Sequence, residues 1–158
     1  MKTFIPIITK AGIEVVGQSF EEILFDLIVS SPHQKRRHCR WHPLLAKIAQ
    51  SKADEMRDLD YFGHVSPDGR TANELIREMG YRLPGHYSGK GNNCESLAIG
   101  GLNPQAVAES WYGSPGHRAH VYGTHEFYRE QECIGVALSK SKSGRLLSVF
   151  LSAPCTTN

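Results

Sequence analysis

The sequence predicts a mixed α+β fold in which helices pack on an antiparallel sheet, and three observations predict it. Apolar residues recur at helical steps in several segments between residues 19 and 111. Two runs rich in β-branched and aliphatic residues, 134–138 and 146–150, flank a polar turn near the end. The composition is that of an ordinary globular domain, with 40% hydrophobic and 22% charged residues in 158, so intrinsic disorder, collagen-like repeats and a long coiled coil are poor readings. A chain of this length buries enough surface to fold alone as one domain.

Residues 3–9 and 13–16 read as a short extended pair around Ala11-Gly12, set apart as a strand-like extension over residues 1–18 that packs as an extra strand pair on its own domain. The main domain then runs over 19–158. Ser19 with Glu22 makes a capping box, Ile23, Leu24, Leu27 and Ile28 have helical spacing, and Pro32 stops the helix. The next helix opens on Pro43 and carries Leu44, Leu45, Ile48, Ala49, Ala53, Met56 and Leu59 as its buried stripe. Lys47, Gln50, Lys52, Asp54, Glu55, Arg57 and Asp58 form its solvated face. Ser66-Pro67-Asp68-Gly69 is a β-turn, and Thr71 with Glu74 caps a short helix that Gly80 ends. Residues 81–94 read as a long loop. Asn103-Pro104 opens a helix with Ala106, Val107, Ser110 and Trp111 inward, broken by Ser114-Pro115-Gly116. The chain closes on a hairpin around Ser141–Gly144.

With 18 Lys and Arg against 16 Asp and Glu, the formal net charge of +2 gives no global reason to expect nucleic acid. The one basic run, Lys35-Arg36-Arg37-His38-Cys39-Arg40, reads as a solvated interhelical loop. No apolar stretch is long enough for a transmembrane helix. The start does not read as a signal peptide, because Phe4–Ile8 is short, carries Pro6 and is followed by no small-residue cleavage site. Either the protein is not exported by that route, or a leader is missing from this sequence. The four Cys (39, 94, 133 and 155) form no Cys-x-x-Cys pair and allow three complete pairings. Pairing Lys140 with Arg145 across the terminal turn puts Cys133 opposite residue 152, near Cys155, and leaves Cys39–Cys94 as the other pair.

Of eight His, two stand out. His64 lies at a helix-to-turn junction, and His117 follows a helix break in Ser114-Pro115-Gly116-His117-Arg118. His33, His38, His42, His86, His120 and His125 read as surface or hydrogen-bonded side chains. Glu95 sits beside Leu97, Ala98 and Ile99, where a carboxylate needs a partner, namely His64, His117 or backbone N–H groups. Two His and one Glu from separate segments make an open zinc site, an acid/base cluster, or a polar knot that pins the long loop.

Three motifs in order carry a resemblance: Phe62-Gly63-His64-Val65-Ser66-Pro67-Asp68-Gly69, Cys94-Glu95-Ser96-Leu97-Ala98, and Trp111-Tyr112-Gly113-Ser114-Pro115-Gly116-His117-Arg118. Together they resemble the bacterial branch of the CAP superfamily (cysteine-rich secretory proteins, antigen 5 and pathogenesis-related proteins), over roughly residues 19–153. The resemblance implies a three-layer α-β-α sandwich with a central antiparallel sheet. It also implies a cleft where two His and two Glu hold a divalent metal in eukaryotic members. His64 matches the first family His and Glu95 the Glu of the family's Glu-Asn-Ile motif. Ser114 stands near the place of the second Glu, Ser96 replaces the Asn, and His117 belongs to the bacterial Ser-Pro-Gly-His-Arg motif.

The functional expectations are therefore these. A CAP-type binding or interaction module has a cleft formed by His64, Glu95, Ser114 and His117, with Zn²⁺ or another divalent metal on His64 and His117. The alternative is a zinc-dependent hydrolase with Glu95 as general base. A metal-free hydrolase built on Ser66 or Ser114 is a third reading, which turn chemistry explains more simply. The resemblance implies an extracellular or envelope location and a lipid, sterol or protein ligand.

Overall fold

The structure is a computed structural model that describes residues 2–9 and 12–156. Strands β1 (Lys2–Thr9) and β2 (Gly12–Ser19) pair antiparallel as a separate two-stranded sheet, with Lys2 opposite Ser19. Residues 10 and 11, within the predicted turn, lie outside the described residues.

Helix α1 (Phe20–Val29) begins with both halves of the Ser19–Glu22 capping box, and buries Phe20, Leu24 and Ile28. After the two-residue strand β3 (Arg40–Trp41) comes α2 (Pro43–Asp58). The Ser66–Gly69 turn closes with Gly69 donating to the Ser66 carbonyl, and α3 (Ala72–Glu78) carries the Thr71–Glu74 capping box. Gly80, with a φ of +96°, ends that helix where a side chain would be strained. Strand β4 (Glu95–Ile99) leads to α4 (Pro104–Gly113), capped by Asn103. Pro115 starts a further helix, α5 (Pro115–Val121), before the hairpin of β5 (Cys133–Lys140) and β6 (Leu146–Ala153).

The main sheet has the order β3-β5-β6-β4. Three of its strands are antiparallel, and β3 adds a short parallel edge on β5. Alternation along the strands feeds two cores. Cys133, Ala137, Leu147, Val149, Leu151 and Leu97 pack with residues of α2 and α3. Ile134, Val136, Phe150 and Ala98 pack with residues of α1, α4 and α5. The result is a sheet between two helical layers. At Gly135 the sheet meets α2 so closely that an added Cβ would lie 2.2 Å from the Ala46 backbone nitrogen.

Several expectations need correction. The hairpin register is one residue further on: Lys140 faces Leu146 and Cys133 faces Ala153. Cys133 and Cys155 do form a disulfide, their Cα atoms 5.1 Å apart. Cys39 and Cys94 are free, because Cys94 belongs to the α2 core and Cys39 packs against the opposite one. Lys52, placed on the solvated face of its helix, is 1% exposed, whereas Leu59 lies past the helix end and is exposed. Ser110 is exposed, and Ala108 is buried instead.

Arg36 is not a solvated member of the basic run. It is buried, and its guanidinium donates to the carbonyls of Gln131, Val121 and His120 at 2.6–2.7 Å. Burial lowers its pKa to about 10, against the pull of Cys39, Glu132 and Tyr87.

Candidate functional site

β4 is fixed at its start and at its middle by side chains outside the strand. The buried Trp111 indole donates to the Leu97 carbonyl at 3.0 Å. Before the strand, Asn92 Oδ1 accepts from the backbone N–H groups of Cys94 (3.1 Å) and Glu95 (2.8 Å), while its Nδ2 donates to the Glu95 carbonyl. The strand's two-residue period then sends Glu95 toward the α2 side, with Leu97, and Ser96 toward the α5 side, with Ala98. A cleft of about 250 Å³ opens at this strand end. His64, Asn92, Glu95, Ser96, Ser114, Gly116, His117, His120 and Tyr128 line it. The structure thus brings His64, Glu95, Ser114 and His117 around one cavity.

Within it, His64 Nδ1 and Glu95 Oε1 are 2.8 Å apart, with the His side chain 42% exposed and the Glu 1%. An ionised Glu95 can only accept, so its 2.8 Å contact calls for a proton on His64 Nδ1, while the Asn92 Nδ2 donor also lies 3.2 Å from that nitrogen. The second oxygen, Glu95 Oε2, is buried without a hydrogen-bond partner among the described residues. The loop carrying His64 is held from below. Lys52 donates to the Tyr61 hydroxyl at 2.9 Å and to the His64 carbonyl at 3.3 Å. Glu55 accepts from the Ser66 hydroxyl at 2.5 Å and also from Tyr61 and Arg70. Burial pushes the Glu55 carboxyl up, but the Ser66 and Tyr61 hydroxyls with the Arg70 and Lys52 charges hold it below its ordinary value. Lys52 is pushed down by burial and supported by Glu95 and Glu55.

His117 is half-buried, and burial, then the neighbouring His64, lowers its pKa. His120, one helical turn on, is fully buried with both ring nitrogens bonded: Nδ1 to Ser96 Oγ at 2.6 Å and Nε2 to Ser152 Oγ at 2.8 Å. Burial and then the Arg36 charge push its pKa well below the usual value, so it is neutral.

Ser96, His120, Lys52 and Asn92 are the site residues that sequence reasoning missed. Ser114-Pro115 is a helix start, and it puts His117 and His120 on one face at i, i+3, which is the signal that points to His120. Lys52 has no such local signal. Ser66 is spent on Glu55 rather than on an imidazole, so the Ser66 version of the metal-free hydrolase has no structural basis. Ser114 lines the cleft without capping α5 through its side chain. Among the described residues, no group of three or more His, Cys, Asp or Glu is arranged to hold a metal ion.

A mixed sheet between two helical layers is the fold of an SCP-type domain, and the comparisons place the chain accordingly. A model of the cysteine-rich secretory protein family (CAP) matches residues 32–152, and the chain belongs to that family. It is similar to the uncharacterized protein YkwD of Bacillus subtilis (strain 168), at 30% identity over 79 residues, 49% of this chain and 27% of that relative. The match therefore spans only about a quarter of the relative's length. Among solved structures it resembles an outer surface protein from Borrelia burgdorferi, with a TM-score of 0.65 and 20% identity over 98% of this chain and 100% of the other. It also resembles an extracellular protein containing an SCP domain from Bacillus anthracis str. Ames, with a TM-score of 0.60 and 17% identity over 88% of this chain and 46% of the other. At these identities the two structures establish the fold alone.

Proposed function

We propose that the chain is a CAP-type binding module whose cleft takes a small polar ligand and holds a divalent cation such as Zn²⁺ on His64 and His117. The observation that carries this reading is the buried Glu95 carboxylate on His64 Nδ1. It fixes the ring and its tautomer and leaves Nε2 as a ligand, an arrangement common behind metal-bound His. His117, kept neutral by burial and by His64, supplies the second lone pair. Two imidazoles plus water make an exchangeable site, weaker than a closed four-ligand one. The alternative, a zinc-dependent hydrolase with Glu95 as general base, asks for a carboxylate in contact with water. Glu95 is 1% exposed with one oxygen already engaged, which favours the binding reading. The Cys133–Cys155 disulfide supports an oxidising location.

Calorimetric titration of the purified chain with Zn²⁺ tests this. One-to-one binding that weakens at least tenfold in both His64→Ala and His117→Ala is the expected result. Binding indifferent to both substitutions would refute it. A panel of ester and peptide substrates, run with and without Zn²⁺, tests the hydrolase alternative.

A further inference from the structure

A second recess of about 360 Å³ adjoins the cleft. It shares Asn93, Gly116 and Tyr128 with it and is also lined by Ala119, His125 and Phe127. The hydrogen bonds behind its wall fix which way its polar groups point. The Asn93 backbone N–H donates to Asn73 Oδ1 at 3.0 Å, and Asn73 Nδ2 donates to the Ser88 carbonyl at 3.0 Å, so the buried Asn73 amide has one orientation. Its Nδ2 also donates to Asn93 at 2.7 Å, which makes the receiving atom Asn93 Oδ1, and the Ser88 N–H reaches the same oxygen at 3.3 Å. Both bonds fall on Oδ1. Asn93 Nδ2 keeps two N–H groups with no protein partner among the described residues.

Two further donors stand with it. His125 caps the 3₁₀ turn Glu126–Tyr128, its Nδ1 accepting from the Phe127 N–H at 3.2 Å. The neutral ring then carries its proton on Nε2, and the side chain is exposed. Tyr128 is half-buried and held by ring contacts to His120 (4.8 Å) and Phe127 (5.0 Å), while its hydroxyl has no protein partner among the described residues. Beside these groups lie the Phe127 ring and the Ala119 methyl.

We propose that this recess binds a small carboxylate joined to a flat apolar body, the oxygens on Asn93, Tyr128 and His125 and the body against Phe127 and Ala119. Four hydrogens on three side chains exceed what one neutral carbonyl oxygen takes, whereas a carboxylate offers about four lone-pair sites. Bonds to an ionised acceptor are also the stronger kind. No Lys or Arg is among the lining residues, which suits a monoanion better than a phosphate dianion. The recess uses neither His64 nor His117, so it goes beyond the metal reading of the cleft and does not need it.

The test is a ¹H–¹⁵N NMR titration of the intact, metal-stripped chain with benzoate, benzyl alcohol and benzylammonium, at constant pH and matched ionic strength. Benzoate should saturably shift the Asn93 side-chain amide pair and the backbone amides of Phe127 and Tyr128. Benzyl alcohol, which has the ring without the charge, should bind several-fold more weakly, and benzylammonium should not bind. Three variants keep the local fold. Asn93→Asp retains the acceptor that Asn73 and Ser88 use, Tyr128→Phe retains the ring, and His125→Asn retains a capping oxygen. Each should weaken benzoate several-fold, Asn93→Asp the most. Equal binding of benzyl alcohol or benzylammonium, or benzoate binding indifferent to all three variants, would overturn the proposal. So would benzoate shifts centred on His64 and His117, which would put the ligand in the cleft instead. The metal reading stands or falls separately, on the Zn²⁺ titration: Zn²⁺ binding without benzoate binding removes this proposal alone, and the reverse removes that reading alone.

Discussion

Acidification between pH 7 and pH 5 should destabilise this domain through His120. In the folded state the ring is fully buried, bonded at both nitrogens and held well below its usual pKa by burial first and then by Arg36, so the folded protein disfavours its protonation. In the unfolded chain it titrates near about 6.5. A depressed cationic acid means that the unfolded state binds more protons as pH falls, so stability is present above about 6.5 and is lost below it. Each pH unit costs at most about 1.4 kcal/mol once the unfolded ring is mostly protonated, a ceiling of about 2 kcal/mol at pH 5. His117, lowered by burial and by His64, works in the same direction. Glu55 is depressed the opposite way, so its contribution is lost only as pH falls below its unfolded value of about 4.3, outside this window. Urea unfolding at half-unit pH steps measures the slope. His120→Gln keeps a neutral amide in place of the ring and should flatten the profile by roughly the His120 share. A flat parent profile, or an unchanged slope in His120→Gln, would refute the reasoning.

Glu95→Gln should lower stability by about 1–3 kcal/mol, because it replaces a charge-assisted bond to His64 and removes the charge near Lys52. That corresponds to a melting shift on the order of 2–10 °C, and a variant that melts like its parent would count against a structural role. Gly135→Ala drives a Cβ into the α2 backbone and should cost about 3 kcal/mol or prevent folding, read by denaturant midpoint or soluble yield. Opening the Cys133–Cys155 disulfide, which spans a sequence separation of 22, should cost about 3 kcal/mol by chain entropy. A reduced protein with the urea midpoint of the oxidised one would contradict it.

Local chemistry explains which parts of this structure are legible in the sequence. The capping boxes at Ser19 and Thr71, the Ser66–Gly69 turn and the Asn103-Pro104 helix start each depend on residues within a few positions, and each stands where the pattern puts it. The convergence of His64, Glu95 and His117 is legible through three motifs in order. Arg36 and Lys52 are not legible, because their partners lie far off in sequence or off their own helix: the carbonyls of His120, Val121 and Gln131 for one, Tyr61 and the His64 carbonyl for the other. A long basic side chain reads as solvated until its acceptors are known. The hairpin register differs by one residue because the loop has three residues rather than four: Ser141 donates to the Arg145 carbonyl at 2.7 Å, and Gly144, at a φ of +84°, takes the left-handed position such a loop needs.

The alternation of β4 makes the cleft the seam between the two halves of the molecule. Glu95 belongs to the layer of α2, whereas Ser96 answers, through His120, to the layer of α5 and to Arg36 behind it. A molecule seated between them would grip both layers together, so its binding energy would resist the opening of the whole domain rather than a local loop. At a hundredfold excess over its dissociation constant that resistance is about 2.7 kcal/mol. It would show as slower amide exchange on α2 and α5 alike, so the two layers would breathe as one body.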